Sequence, residues 1–441
     1  MPQHKRRRYH VCVRVCRRAV KVLLISANAE RTNILPLPLG LACVAAACRR
    51  SGHETSLVNL MFEGDVESAL RDSIGAFRPD VIGISVRNID DQNMAFPRFL
   101  LPPVRDVVAL CRSLCDGPIV LGGAGYSIFP ESALRYLGAD MGIRGEGEIV
   151  FPALLERLAN GADVDDLPGL YLPGRPAGGP TFAPHLEGLP MPEPELWIPN
   201  VPDKDALWIP VQGKRGCPMR CSFCSTKDIQ GTIIRRRRAE AVASWLEQLA
   251  ERGLRNFVFV DSTFNIPPSY AKEICRAIIE RDLNIRLWCI LYSKWVDGEL
   301  VDLLTRAGCS NASLGFESGS DQMLRTYNKK FNAGEVRTAC GMLADAGIRC
   351  TGFLLLGGPG ETRETVEESL AFADLLNLDA LKVTVGIRIY PATALAVAAL
   401  AEGIIAPEQD LLWPAFYLAP ALRDWLPEKV AEYGKSRVFV M

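Results

Sequence analysis

Twice along its 441 residues the chain alternates short apolar runs with helix-length amphipathic segments, and a proline-rich stretch separates the two series. In residues 21–160 the runs "KVLLISAN", "HETSLVNL", "PDVIGISV", "GPIVLGG" and "ADMGIRG" alternate with segments such as "LPLGLACVAAACRRSG", "VESALRDSIGAF", "PPVRDVVALCRSL", "PESALRYLG" and "EIVFPALLERLANG". Continuous apolar runs are what parallel strands buried on both faces require. Four or five of them, each followed by a helix, predict a doubly wound parallel sheet. Ligands of such sheets sit at the carboxyl ends of the strands, where the strand order reverses. The loops there read "SANAERTN", "RNIDDQN" and "GGAGYSIFP".

Residues 161–210 hold eleven of the 30 prolines. Proline fixes φ and removes a donor, so a linker is expected, with one short hairpin around "PGLYLPG". The second series, in residues 211–390, has six runs: "LWIPVQGKRG", "RNFVFVDSTF", "IRLWCIL", "SNASLGFES", "RCTGFLLLGG" and "ALKVTVGIRIYP". Six βα units fall short of a closed eight-unit barrel, so a partial barrel is expected. The predicted organisation is a basic tail (1–20), a Rossmann-like domain (21–160), a linker (161–205), a partial (β/α)6 barrel (206–392) and a short helical segment (393–441).

Fifty basic and 51 acidic residues leave a net charge of −1, which argues against a general nucleic-acid or membrane-surface binder. The basic stretch "HKRRRYHVCVRVCRRAVK" is read as a solvated tail. No run reaches the ~18 apolar residues of a membrane span. Fourteen cysteines without an export signal suit a reducing cytoplasm and metal or redox chemistry. The pairs Cys12/Cys16 and Cys111/Cys115, four apart, read as small buried hydrophobes.

The loop "GKRGCPMRCSFCSTKD" follows the first strand of the second series and carries Cys217, Cys221 and Cys224. That places three thiolates at the carboxyl end of a barrel strand, where barrel chemistry sits. Iron–sulfur clusters usually take four cysteines, and three would leave one iron open to an outside ligand. The plainer reading is a zinc site completed by a distant ligand such as His185.

"RGCPMRCSFC" resembles the cluster loop of radical S-adenosylmethionine (SAM) enzymes, whose CxxxCxxC signature has an aromatic before the last cysteine; Phe223 fills that place. Further motifs follow in the order that family shows. By this resemblance Asp261, Ser262 and Thr263 of "VDSTFN" would lie near the amino group of SAM. Glu317 and Ser318 of "LGFESGS" would lie on the ribose, and Gly357 of "GFLLLGGPGET" near the adenosyl moiety. "RIYPAT" is similar to the family's "YPGT", with Ala392 in place of glycine. A helix cap for residues 261–263 and an ordinary salt bridge for Glu317 are the structural alternatives. The run Arg235–Arg238 is read as lining the site's mouth or, for most of the four, pairing with surface acids.

The first domain resembles the cobalamin-binding domain of cobalamin-dependent radical SAM enzymes. By that likeness Arg87, Asn88, Gly122, Gly123, Gly125 and Tyr126 would surround the cofactor. The cobalt-ligating Asp-x-His-x-x-Gly motif is missing and His53 lies elsewhere, so no histidine is expected on the lower face; Arg31, Arg87 and Asn88 are the candidates to face it.

The resemblance therefore implies a 4Fe–4S cluster, SAM and cobalamin. It implies a methyltransferase that moves a methyl group from SAM via methylcobalamin to an unactivated centre of a small-molecule or lipid precursor. Its partners would be a small-molecule substrate and an electron donor such as flavodoxin or ferredoxin. A radical cyclase, oxidase or rearrangement enzyme with the same cofactors is the alternative, and a cobalamin or metal sensor the distant one. Trp413, Phe416 and Tyr417 are read either as site-lining residues or as core of the tail.

Overall fold

In the computed structural model, residues 18–30, 34–175, 178–199 and 204–435 are described. Arg31, Cys12 and Cys16 lie outside them. The first sheet contains β1 (Lys21–Ser26), β2 (Glu54–Asn59), β3 (Val81–Ser85), β4 (Ile119–Gly122), β5 (Met141–Ile143) and β6 (Leu170–Tyr171). Its order is β2-β1-β3-β4-β5-β6. The first five strands are parallel and β6 runs antiparallel to β5. The order reverses between β1 and β3, which opens a crevice at their carboxyl ends.

Strand periodicity sorts the two cores. Val22 and Leu24 face the helices Leu39–Arg50 and Gly147–Ala159, with Cys48, Phe151 and Leu154. Leu23 and Ile25 face the opposite layer, with Leu70, Ile74 and Val108. Cys111 is buried there as expected, whereas Cys115 caps its helix and contacts the Pro79 carbonyl at 3.4 Å. His53 accepts the Val20 N–H at 3.3 Å.

The proline-rich stretch is more than a linker. "PGLYLPG" makes no local hairpin; Leu170 and Tyr171 extend the first sheet by pairing with Ile143 and Gly142. Farther on, Ala183, Leu186 and Trp197 are buried.

The second series begins with β7 (Trp208–Val211) and a small ribbon of β8 (Lys214–Arg215) with β9 (Arg235–Arg236). β10 (Asn256–Phe259), β11 (Arg286–Leu291), β12 (Cys309–Glu317), β13 (Arg349–Leu356) and β14 (Ala380–Val385) follow. All six long strands are parallel, in the order β14-β13-β12-β11-β10-β7. β7 and β14 are edges that do not meet, so the barrel is open. A last ribbon, β15 (Ile387–Arg388) with β16 (Phe416–Tyr417), ties the C-terminal segment to the barrel's sixth unit.

Buried charges clamp the domains together. Arg388 and Asp90, both almost inaccessible, pair at 2.7 Å. Arg215 reaches Glu148 at 2.5 Å and Glu146 at 3.4 Å, and Arg235 reaches Glu146 at 2.8 Å. Arg144 meets Asp228 at 3.2 Å. No helix among the described residues is long and apolar enough to cross a membrane.

Candidate active site

The cysteine loop leaves β8 through Gly216, at φ +90°, where a Cβ would lie 2.1 Å from the Ile233 carbonyl. Only glycine fits. The loop is then pinned by backbone bonds: Cys217 N–H to Gly231 O at 3.1 Å, Ser222 N–H to Tyr327 O at 3.1 Å, and Leu395 N–H to Ser222 O at 2.9 Å. Phe223 packs edge-on against Tyr327, with ring centroids 5.7 Å apart. All three thiols are free and half-buried. Among the described residues no three His, Cys, Asp or Glu side chains converge to hold one metal ion. A cluster asks something different, since each thiolate binds its own iron. Burial pushes the Cys217 thiol up and the Cys221 thiol up to about 11. The nearby Lys329 ammonium acts against both shifts.

Lys329 is the unforeseen residue of the site. Its Nζ bonds Glu317 Oε1 at 3.0 Å and the Gly315 carbonyl at 3.1 Å. The rings of Phe223, Phe331 and Tyr292 surround it at 5.7, 5.7 and 5.9 Å. Burial alone would lower its pKa, but Glu317 and Cys221 outweigh it and hold the ammonium charged. Glu317 sits at φ +66°, a left-handed conformation unusual for a side chain larger than glycine's, at the end of β12.

Strand parity decides which end residues face the barrel interior. Along β10, Phe257 and Phe259 join the outer core, while Val258 and Val260 line a cavity. Along β12, Ala312, Leu314 and Phe316 face outward. The opposite parity holds Ser313, which accepts the Trp288 indole N–H at 2.8 Å; beyond it the register against β13 shifts between Gly315 and Glu317, and Glu317 is placed by its bond to Lys329.

The cavity is about 510 Å³, within the range of ligand sites. It starts on the first sheet beside Leu24, Gly83 and Phe151, passes the β1–β3 crevice at Ser26, Ser85 and Arg87, and ends on Pro210, Gln212, Val258 and Val260 of the barrel. Six glycines, at 40, 83, 122, 123, 145 and 147, stand in its wall, so its space is not filled by side chains. At Gly122 an added Cβ would meet nothing nearer than the Ile143 carbonyl at 3.9 Å. Arg87 is exposed on this wall, and among the described residues its side chain bonds its neighbour Asn88, at 3.4 Å. Among the described residues no carboxylate pairs with it. A largely apolar slot with a cation, Arg87, partway along its wall suits a ligand that combines an apolar part with an anionic or amide-rich one. A corrinoid nucleotide is such a ligand.

Comparison with known proteins agrees in both halves. A B12 binding domain model matches residues 28–155, and a radical SAM superfamily model matches residues 211–373. The chain belongs to the cobalamin-dependent radical SAM enzymes. It is 27% identical over 443 aligned residues to a tryptophan 2-C-methyltransferase of Streptomyces laurentii, covering 85% of this chain and 74% of that one. It is 26% identical to an anaerobic magnesium-protoporphyrin IX monomethyl ester cyclase of Rubrivivax gelatinosus, covering 80% and 64%. Its fold matches the radical SAM methyltransferase TsrM of Kitasatospora setae, solved with tryptophan and a SAM analogue. That match has a TM-score of 0.82 at 23% identity, over 95% of this chain and 89% of that one.

In this radical SAM protein the foreseen residues divide by position. Cys217, Cys221, Cys224 and Glu317 share the barrel mouth, and Ser262 stands beside them, its hydroxyl 3.2 Å from Gln230 on the cavity wall. Thr263 is half-buried, its carbonyl bound by Lys214. Asp261 is redirected: it has outward parity, is fully buried, and accepts the Gly213 and Lys214 N–H groups at 2.9 and 3.2 Å. It braces the turn into the cysteine loop. Ser318 is fully buried against Ser369 at 2.8 Å. Gly357, at φ +97°, has its Cβ space taken by Leu418 of the C-terminal segment, 2.4 Å away. Its N–H, like that of Gly358, is held by Glu361.

In the cobalamin-binding half, Arg87, Gly122 and Gly123 line the cavity. Asn88, of opposite parity, bonds Asn28 at 3.4 Å. Gly125 packs beneath the Arg87 carbonyl, where a Cβ would lie at 2.9 Å, and Tyr126 is wholly inside the second core. Trp413 stacks on Phe99 at 4.2 Å, Phe416 is strand-paired to Arg388, and Tyr417 is buried with its hydroxyl on Glu402 at 2.6 Å. All three belong to the tail and its contacts. Arg235 and Arg237 are buried, and they hold Glu146 and the carbonyls of the linker. Arg236 remains near the surface, 3.7 Å from Glu273.

Proposed function

We propose that this enzyme is a C-methyltransferase that moves a methyl group from SAM, by way of its corrinoid, to an unactivated carbon of a small molecule. The observation that carries the reading is the cavity that runs from the glycine-lined crevice of the first sheet into the barrel, where Gln230 joins its wall to Ser262. The cofactors, when bound, supply a methyl carrier, a one-electron reductant and a source of a 5′-deoxyadenosyl radical.

The chain's own residues do the holding. Cys217, Cys221 and Cys224 would bind the cluster, with one iron left for SAM. The Lys329–Glu317 pair offers the polar part of SAM a fixed cation and a carboxylate at the end of β12. Arg87, with no histidine beside it in the loop, is the candidate for the lower face or nucleotide loop of the corrinoid. The ion pairs of the domain seam, Arg388–Asp90 and Arg215–Glu148, keep the two halves in register and exclude water from between them. A reducing compartment and a dedicated electron donor follow from the need to keep such a cluster reduced.

The cyclase-named relative supports a second reading, radical ring closure without methyl transfer. Anaerobic turnover with methyl-labelled SAM separates the two. Methyl transfer yields S-adenosylhomocysteine alongside 5′-deoxyadenosine and places the label in the product. Ring closure yields deoxyadenosine and an unlabelled product, and release of neither compound sinks both readings.

A further inference from the structure

The helix Ala394–Ala401, "ALAVAALA", contains no charged residue and is not a buried helix. Leu395 and Ala399 pack inward, but Val397 is 69% exposed and Leu400 44%. Its first turn lies on the cysteine loop: the Leu395 N–H donates to the carbonyl of Ser222, which stands between Cys221 and Cys224, at 2.9 Å. On the same loop Pro218 and Arg220 are exposed. The loop is braced from the other side by the segment 325–330, through Ser222 N–H to Tyr327 O and Asn328 to the Arg220 carbonyl. That segment carries Arg325 and Lys330, both exposed, and Lys330 bonds Asn328.

Arg220, Arg325 and Lys330 form no ion pair with any acid among the described residues. The carboxylates nearby are bound to other groups: Asp321 accepts the Ala333 N–H at 2.8 Å, Glu335 the Asn332 N–H at 2.9 Å, and Glu402, which ends the helix, the Tyr417 hydroxyl at 2.6 Å. An uncovered apolar helix beside unpaired cations has the anatomy of a transient interface, with an apolar centre and a charged rim that steers an oppositely charged partner.

We infer that this face, the helix Ala394–Ala401 with Arg220, Arg325 and Lys330, is the docking surface of a small acidic protein that carries one electron. The inference rests on the reading of Cys217, Cys221 and Cys224 as cluster ligands. It adds where the electron enters: through the outer side of the loop at Ser222, between Cys221 and Cys224, by residues that do not line the cavity assigned to the corrinoid. The step balances simply. The reduced carrier loses one electron, the cluster gains it, and no proton or group moves. The match is one of charge and apolar contact, so docking is fast, weak and sensitive to salt.

Anaerobic stopped-flow mixing of the cluster-loaded full chain with an acidic flavodoxin in its hydroquinone form tests this. At low ionic strength the double variant Arg325→Glu/Lys330→Glu is expected to accept electrons at least about tenfold more slowly than the parent, and to lose the parent's fall in rate with salt. Val397→Asp is expected to slow transfer at every salt concentration. Dithionite, which needs no docking, is expected to reduce all three proteins at the same rate. Parent-like rates with flavodoxin in both variants would overturn the inference, as would an equal loss with dithionite. A parent protein with a full cluster that dithionite reduces but that never cleaves SAM contradicts the proposed function and leaves the docking result to stand on its own rates.

Discussion

Gly122 offers a way to close the cavity without disturbing the fold. It ends β4 outside the left-handed region, and a Cβ there meets only the Ile143 carbonyl, at 3.9 Å, an ordinary contact. In Gly122→Leu the new side chain therefore enters the cavity of about 510 Å³ and takes space the ligand needs. Forcing extra methylenes into a filled site typically costs ~1–3 kcal/mol. At about 1.4 kcal/mol per decade this weakens binding roughly 5- to 150-fold. Gly83→Ala is the contrasting variant. Its Cβ would lie 2.8 Å from Leu24 and 3.2 Å from Phe151, so the strain falls on the packing of the domain itself. The assay is equilibrium titration with hydroxocobalamin, read by visible absorption after removal of free ligand, beside thermal unfolding of the cobalamin-free proteins. Gly122→Leu is expected to unfold like the parent and bind corrinoid weakly; Gly83→Ala is expected to unfold earlier. Parent-like affinity in Gly122→Leu would refute the assignment of the cavity.

Asp90→Ala strips the partner from a buried guanidinium, a loss that typically costs ~3–5 kcal/mol, so chemical denaturation should show a large destabilisation and Asp90→Asn a smaller one. Glu361 should make stability depend on pH. Burial raises its carboxyl from 4.5 to about 7, so the folded chain holds a proton that the unfolded chain has released. Its contribution is complete below pH ~4.5 and is lost as pH rises through ~7, roughly 3 kcal/mol in all. Glu361→Gln, which keeps an acceptor for the Gly357 and Gly358 N–H groups, should flatten that profile in denaturation measured from pH 5 to 8.

The βα series were legible because parallel strands buried on both faces must be apolar throughout, and the cysteine loop because its thiols are neighbours in sequence. Which strand-end residue faces the site was also written in the sequence, as parity. Phe257 and Phe259 mark the outward face of β10, so Asp261 follows them and Ser262 does not; at the end of β12 a register shift and the left-handed φ of Glu317 break that alternation, and no local pattern showed it. Arg87 shares the parity of Gly83 and Ser85, and Asn88 does not. Lys329 was harder to find. Its partner Glu317 and two of its aromatic neighbours come from other segments; the local signal was the aromatic pair Tyr327 and Phe331 flanking it in "YNKKF". The run Arg235–Arg238 has no compositional period, so nothing in it showed that Arg235 and Arg237 turn inward to the linker while Arg236 turns out. The linker itself reads as loop because its order comes from those arginines and not from its own residues.

By this reading one chain holds a three-cysteine cluster and a corrinoid across a single seam. Iron, sulfide and corrinoid analysis of the anaerobically reconstituted full chain tests it most directly, with Mössbauer and cob(II)alamin EPR spectra recorded on the same sample. One 4Fe–4S cluster that binds SAM, and one corrinoid whose EPR lines lack nitrogen splitting from a histidine, are the expected result, with the cluster lost and the corrinoid kept in Cys221→Ala. An intact cluster in Cys221→Ala, or a parent chain that takes up no corrinoid, would contradict it.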